Sequence, residues 1–228
     1  NVTCIIKENE MTAIVGISGS GKTTLCNLIA RFWDVNEGEI KIGGNNIKDY
    51  TVENLMDNIS MVFQGVYLFE DTIENNIKFG NQNATREEVV NAAKKAQCHD
   101  FIISLPQGYN TSIGEGGASL SGGEKQRISI ARAMLKDAPI IIFDEATANI
   151  DPENEDKLKL AIESLTKNKT VIMIAHRLKT IRNANQILVL NKGCIEQRGT
   201  HDELMRQDGI YKDFINAKSM SENWSLNN

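Results

Sequence analysis

The stretch Gly16–Trp33, "GISGSGKTTLCNLIARFW", places three glycines within six residues, then a lysine, two threonines and an apolar helical pattern. The run before it, "TAIV", is short, apolar and β-prone, so the context is strand, glycine-rich turn, helix. Glycine gives the turn access to positive φ and removes side chains that would keep a ligand from the backbone. Successive N–H groups, together with the positive end of the following helix, then face one point. Lys22 adds a mobile full charge and Thr23 a hydroxyl of the kind that binds Mg²⁺. Gly16-xxxx-Gly21-Lys22-Thr23 therefore reads as a loop that holds the phosphates of a nucleotide. Ser18, Gly19, Ser20 and Thr24 belong to the same cradle.

Composition limits the alternatives. The chain has 228 residues, is 41% hydrophobic and 24% charged, and carries a net charge of −5. That is ordinary for a soluble globular protein of one domain or two small lobes, and it disfavours a broad cationic surface for nucleic acid. Cys4, Cys26, Cys98 and Cys194 are scattered, with no CxxC, and read as small apolar residues in a reducing compartment. The aliphatic runs "PIIIF" and "TVIMIA" are too short to span a bilayer, and no signal peptide is visible. A soluble, cytoplasmic chain is the resulting expectation.

Along the chain, "NVTCII" looks like a strand and "EIKIGG" like an alternating strand closing on a turn. "TVENLMDNI" reads as a short helix and "SMVF" as a strand leading to Gln64. From Phe79 to Ala138 helical and charged segments dominate, opened by the capping box Thr85-x-x-Glu88. After it come "PIIIFDE", a fully apolar strand suited to a buried parallel position, then Asp151-Pro152 opening a helix, then "TVIMIA", ending at His176. "QILVL-NKG-CIEQR" reads as a hairpin, and Thr200-x-x-Glu203 caps a short helix. The expected fold is α/β, a P-loop NTPase (RecA-like) with a mostly parallel core sheet, an N-terminal antiparallel β lobe and an inserted α-helical lobe. Its expected extent is residues 1–218, with core lobe 1–78 and 139–218, helical lobe 79–138, and a flexible tail 219–228.

The acid pair Asp144-Glu145 ends an apolar strand, where open α/β sheets put their ligands. Asp144 suits Mg²⁺; Glu145 can accept a proton from an attacking water. "LSGGEKQR" (120–127) offers a second bare helix start at Ser121, Gly122 and Gly123. Ser121-x-x-Glu124 also satisfies a capping box, and the two readings are compatible. His99 and His201 read as solvated residues near helix ends, and Trp33 as packed beneath the β-rich lobe.

Together these motifs resemble the nucleotide-binding domain of ABC transporters. Gly16–Thr23 is similar to its Walker A, Gln64 to its glutamine loop and Leu120–Glu124 to its signature. Ile140–Asp144 with Glu145 looks like its Walker B, "ATANID" ending at Asp151 its D-loop, and "AHRL" with His176 its switch. "LFEDTIENNI", "GEGGASLSGGE" and "GCIEQRGTHDEL" look like the exporter branch in particular. The resemblance implies an ATPase that uses ATP and Mg²⁺, with two domains stacked head to tail and each ATP between one Walker A and the other domain's signature. It implies that Ser121, Gly122 and Gly123 contact the γ-phosphate held at the partner's Lys22, and that Glu145 activates water. His176 holds the γ-phosphate, and Gln64 touches Mg²⁺ or water and reports to the membrane domain. Asp151 links the two sites, and Glu115 lies near the membrane domain. The implied partners are a second, identical or different, nucleotide-binding domain and transmembrane domains, fused upstream or on a separate chain, with no nucleic acid. Four features depart from the family: Glu124 replaces a frequent glutamine, Asn149 a small alanine, "FQGVYLF" lacks a proline, and the aromatic that stacks on adenine lies outside this sequence. A non-transport ABC-type ATPase in repair, chromosome architecture or translation is the alternative. Against it, only 98 residues separate Lys22 from Ser121, with no heptad array. A catalytically dead regulatory module would not need both Glu145 and His176.

Overall fold

The computed structural model describes residues 2–63, 65–114, 119–144, 152–175 and 178–225. The chain first forms β1 (Met11–Val15) and α1 (Lys22–Ile29), then the short strands β2 (Lys41–Ile42) and β3 (Asn45–Asn46). α2 (Val52–Asp57), β4 (Ile59–Val62), β5 (Asp71–Thr72), α3 (Ile73–Lys78), α4 (Arg86–Lys95) and α5 (His99–Ser104) follow. β6 (Ser112–Ile113), α6 (Gly122–Lys136), β7 (Ile140–Asp144) and α7 (Pro152–Thr166) complete the middle of the chain. The last part holds β8 (Thr170–Ile174), α8 (Leu178–Arg182), β9 (Gln186–Asn191), β10 (Cys194–Gly199), α9 (His201–Met205) and α10 (Ile210–Ser225).

These elements form two compact units. The first contains residues 1–56, 142–145 and 170–228; the second contains 57–141 and 146–169. In the first, β1 lies between β8 and β9, parallel to both, with Ala13 opposite Met173 on one side and Ile187 on the other. The central strand is buried from Thr12 to Val15. Burial on both faces is why these strands are nearly continuous apolar runs rather than alternating ones. β10 closes the edge as an antiparallel hairpin with β9, and its alternating exposed and half-buried residues mark one solvated face. The antiparallel β2–β3 ribbon also belongs to this unit.

The second unit is built around α6. Val89, Ala93, Ile128, Ile130, Ala131, Leu158 and Ala161 are buried along α4, α6 and α7. Capping boxes open three of the helices: Thr85 with Glu88 for α4, Ser121 with Glu124 for α6, and Thr200 with Glu203 for α9. In each the hydroxyl accepts the N3 amide while the carboxylate accepts the N-cap amide, so two orphan donors are satisfied at once.

Several expectations change. Residues 2–6 carry no strand ladder; Ile5 is 77% exposed and the first strand begins at Met11. β propensity without a neighbour to pair with does not make a strand. Trp33 is not packed away but 69% exposed. α1 is capped at Ala30 and Arg31 takes φ 56°, so the helical periodicity ends before it reaches the tryptophan. His99 and His201 are half-buried rather than freely solvated. Each shares a hydrogen bond with a buried tyrosine ten residues on, Nδ1 to Tyr109 Oη at 2.8 Å and to Tyr211 Oη at 2.7 Å. α10 carries helical backbone to Ser225, into the segment expected to be a tail. Of the cysteines, Cys26 and Cys98 are buried, their thiols pushed up to about 12 by burial, while Cys194 is exposed.

Candidate nucleotide site

β1 ends at Val15, and the chain turns through Gly16 to Gly21 before α1 begins. Only glycine fits at Gly16: a Cβ there would stand 2.2 Å from the Leu190 carbonyl oxygen. Gly19 and Gly21 take φ of 77° and 102°, in the left-handed region that other residues enter at a cost. A Ser20 N–H bond to Ile17 O, at 3.2 Å, closes the turn. The loop is buttressed from β9 and β10: Gly193 N donates to Ser20 O at 3.0 Å. Gly193 was not among the residues expected to serve the site. The "NKG" turn is legible in sequence, but its contact with a loop some 170 residues away is not.

α1 opens without any side-chain cap and without an acid in its first turn. Its first intrahelical bond is Leu25 N to Gly21 O, so the amides of Lys22, Thr23 and Thr24 lie ahead of the ladder. Lys22 is buried to 9% exposure. Its ammonium donates to Gly16 O at 3.0 Å, Ile17 O at 2.9 Å and Ser20 Oγ at 3.5 Å. Burial lowers its pKa, and Asp144, at the end of β7, opposes that shift. Thr23 and Thr24 are exposed. A partly desolvated cation, amides ahead of the helix ladder and the helix dipole together form an anion site whose own helix carries no acid in its first turn.

The donor set also fits Mg²⁺. Thr23 and Asp144 are hard oxygen donors in the same unit, and Mg²⁺ is characteristically held by one or two carboxylates plus substrate phosphates. No cluster of three or more His, Cys, Asp or Glu that could hold a metal alone exists among the described residues, and this mode of binding needs none.

Ser121, Gly122 and Gly123 lie in the second unit, at the start of α6. Ser121 N donates to Glu124 Oε2 at 2.8 Å, and Glu124 N donates to Ser121 Oγ at 3.3 Å. The Glu124 carboxylate therefore caps its own helix. The first intrahelical bond is Lys125 N to Ser121 O, which leaves the Gly122 and Gly123 amides ahead of the ladder. Gln64, Glu115, Glu145, Asp151 and His176, all expected at functional positions, lie outside the described residues.

A strand, a glycine turn and a helix N-terminus with a buried lysine, together with a strand ending in a carboxylate two places along the sheet, define a P-loop nucleotide-binding fold. The family model "ABC transporter" matches residues 1–148. An ATP-dependent lipid A-core flippase of Syntrophus aciditrophicus (strain SB) is 51% identical over 92% of the chain and 35% of its own length. A putative multidrug export ATP-binding/permease protein of Staphylococcus aureus (strain NCTC 8325 / PS 47) is 47% identical over 96% of the chain and 38% of its own length. Among solved structures, a bacterial Atm1-family ABC exporter with ATP bound aligns with a TM-score of 0.86 and 44% identity, over 93% of this chain and 37% of that one. The chain belongs to the ABC transporter family, as its ATP-binding ATPase domain. It spans about a third of the length of these curated relatives. No helix among the described residues is long and apolar enough to cross a membrane.

Proposed function

We propose that this domain powers export by an ABC transporter through ATP-driven, head-to-tail pairing with a second nucleotide-binding domain, followed by release after hydrolysis. The observation that carries the reading is the start of α1, an uncapped, acid-free helix end with a buried lysine ammonium at its mouth. The relatives support the transport part. Each is a transport protein by name, which speaks against the non-transport alternative, and one is named as ATP-binding and permease in one protein. The proposed division of labour keeps a core lobe (1–78 and 139–218) for the nucleotide and a helical lobe (79–138) for the partner's nucleotide.

In this reading Gly16, Ser18, Gly19, Ser20, Gly21, Lys22, Thr23 and Thr24 bind the phosphates. Ser121, Gly122 and Gly123 contact the phosphate bound by the other domain, and Asp151 lies where the two domains meet. Thr23, Gln64 and Asp144 are the residues that would hold Mg²⁺, which supplies positive charge to the phosphate oxygens. Glu145 takes the proton of the attacking water, His176 orients that event, and Gln64 relays occupancy to transmembrane domains on the same or another chain. The domain then works on the cytoplasmic side, where ATP is.

Glu145→Gln tests it. Glutamine keeps the shape and still hydrogen-bonds water but cannot take its proton, and loss of a general base costs about 10²- to 10⁴-fold in rate. Hydrolysis, the step that reopens the pair, slows while one negative charge near each γ-phosphate disappears. The variant should elute as a dimer with Mg-ATP and as a monomer with ADP. A normal hydrolysis rate excludes Glu145 as the base, and an inactive variant that stays monomeric with ATP excludes the head-to-tail pair for this chain.

A further inference from the structure

The phosphate loop is fastened from outside by the hairpin that β9 and β10 form. β1 and β9 pair in parallel as far as Val15 opposite Val189, where the loop begins. Contact continues beyond the ladder: the Leu190 carbonyl lies against Gly16, and Gly193 N donates to Ser20 O at 3.0 Å. Asn191 faces Cys194 across the hairpin, so Lys192 and Gly193 are its two loop residues. Their φ angles, 48° and 77°, are both positive, as a type I′ turn requires. The closing bond of such a turn joins its first carbonyl to its fourth amide, and the third amide has no place in the ladder. On an open hairpin that amide is left to water. Here it goes to the phosphate loop.

What the bond fixes is the direction of the next amide. Ser20 C=O and Gly21 N–H belong to one planar trans peptide unit, so they point opposite ways. A carbonyl drawn to Gly193 therefore turns the Gly21 N–H away from the hairpin. Gly21 stands at φ 102°, and a glycine could take the opposite sign at little cost, which would let this unit turn over. The other bonds of the loop act on earlier units. Ser20 N is held by Ile17 O at 3.2 Å, and Lys22 holds the Gly16 and Ile17 carbonyls. The two glycines are in close contact, since a Cβ on Gly21 would lie 3.6 Å from Gly193 Cα.

We propose that Gly193 is a positioning residue for the nucleotide: by holding Ser20 O it keeps the Gly21 N–H aimed at the phosphate before the phosphate arrives. The inference rests on the reading above, in which this loop binds ATP. It adds a residue from the far part of the chain to those that make the loop bind. A loop ordered in advance binds more tightly, because binding no longer has to supply that order.

Equilibrium binding of ATP and of inorganic tripolyphosphate tests it, with Mg²⁺ present, at a temperature where melting curves show every variant folded. A Cβ at Gly193 would meet nothing within 4 Å, so substitutions there alter φ rather than packing. Gly193→Val keeps the N–H but strongly disfavours positive φ, so the turn changes type and the amide leaves Ser20. It should weaken ATP and tripolyphosphate alike, by about two- to tenfold, the ordinary worth of one hydrogen bond. Gly193→Asn, which tolerates positive φ, should recover most of that loss. If Gly193→Val does not fold, a glycine inserted after Lys192 serves with the same expectation: hairpins accept three-residue loops, and the amide moves off Ser20. A lower melting temperature with unchanged affinity for both ligands makes Gly193 an ordinary turn residue and overturns the proposal. So does a loss for ATP that tripolyphosphate does not share, which would put the turn against the nucleoside. Equal losses in the valine and asparagine variants overturn it too. If instead Lys22→Ala binds both ligands as tightly as the parent, the loop is not the phosphate site, and the failure lies in the earlier reading.

Discussion

Two helix starts in this chain are candidates for the same chemistry, and they are built in opposite ways. α1 begins at Gly21 with no side-chain cap, no acid and a buried lysine. α6 begins at Ser121 with a complete capping box and Glu124 in its first turn. The first leaves three amides ahead of its ladder and holds a full positive charge on loop oxygens beside them; the second has satisfied two donors itself, Ser121 N and Glu124 N, and placed a negative charge beside the Gly122 and Gly123 amides. A helix end that keeps its donors open gives up about 1 kcal/mol of capping energy, which a phosphate returns. One that caps itself is stable alone and has less to offer. The difference suits two roles: α1 captures nucleotide, while α6 reads a phosphate that something else already holds.

The largest expected effect falls on the capturing side. Lys22→Ala should weaken ATP binding by about 10- to 100-fold, the value of lost charge-assisted hydrogen bonds. The melting temperature should move by no more than a few degrees, because removing a buried ammonium offsets the loss of its bonds to the buried Gly16 carbonyl and Ser20 hydroxyl. Equilibrium binding of labelled ATP and a thermal melt check both halves. Unchanged affinity would erase the contrast between the two helix starts.

Ser121→Ala probes the reading side and should behave differently. Affinity of a single chain for ATP should stay within about twofold, because the serine meets nucleotide held by another chain. Loss of the cap should cost about 1 kcal/mol, or about 2–4 °C in melting temperature at this chain length. ATP-driven pairing should weaken, seen as a higher protein concentration for half-maximal ATPase activity. A large drop in single-chain affinity would put Ser121 in the same site as Lys22 and break the division of roles.

How much of this was legible depended on the range of the physics involved. The phosphate loop could be read because its chemistry needs consecutive residues: glycines for φ, a lysine for charge, a helix directly after. Capping boxes were legible for the same reason, each being contained in four residues. Trp33 was not. Whether it is buried depends on where α1 stops, and one residue, Arg31 in the left-handed region, decides that. The His99–Tyr109 and His201–Tyr211 pairs each close from the start of one short helix to the next helical turn, across a break in the periodicity that leaves no signature in the sequence. Nor does sequence reveal that Arg132 and Asn76 meet, since their contact depends on α3, and Gly80 just beyond it, lying against α6. Apolar runs announced the buried strands, but β propensity alone overcalled residues 2–6, which have no ladder to join.

The smallest effect is the sharpest test of the comparison. Glu124→Gln keeps an oxygen that can accept Ser121 N but removes the charge at the α6 start. A carboxylate at a helix N-terminus is worth about 0.3–1 kcal/mol, so the melting temperature should fall by no more than about 4 °C. If that helix start meets a phosphate across a pair of domains, the same substitution also removes two repulsions, one at each nucleotide, where water screens poorly. Pairing driven by ATP should then tighten by a few-fold even though the single chain is slightly less stable. Glu88→Gln supplies the control within the molecule. Glu88 caps α4 through the same geometry, its Oε2 accepting Thr85 N at 2.7 Å, and no phosphate is assigned there. It should lower the melting temperature similarly and leave pairing alone. The Glu124 effect should also shrink as salt is raised, since screening takes over what the substitution removed. Sedimentation with Mg-ATP at low and high ionic strength measures all three proteins side by side. If the two glutamine variants pair alike, the charge beside the α6 start does not face a phosphate, and the self-capped helix start is a helix start only.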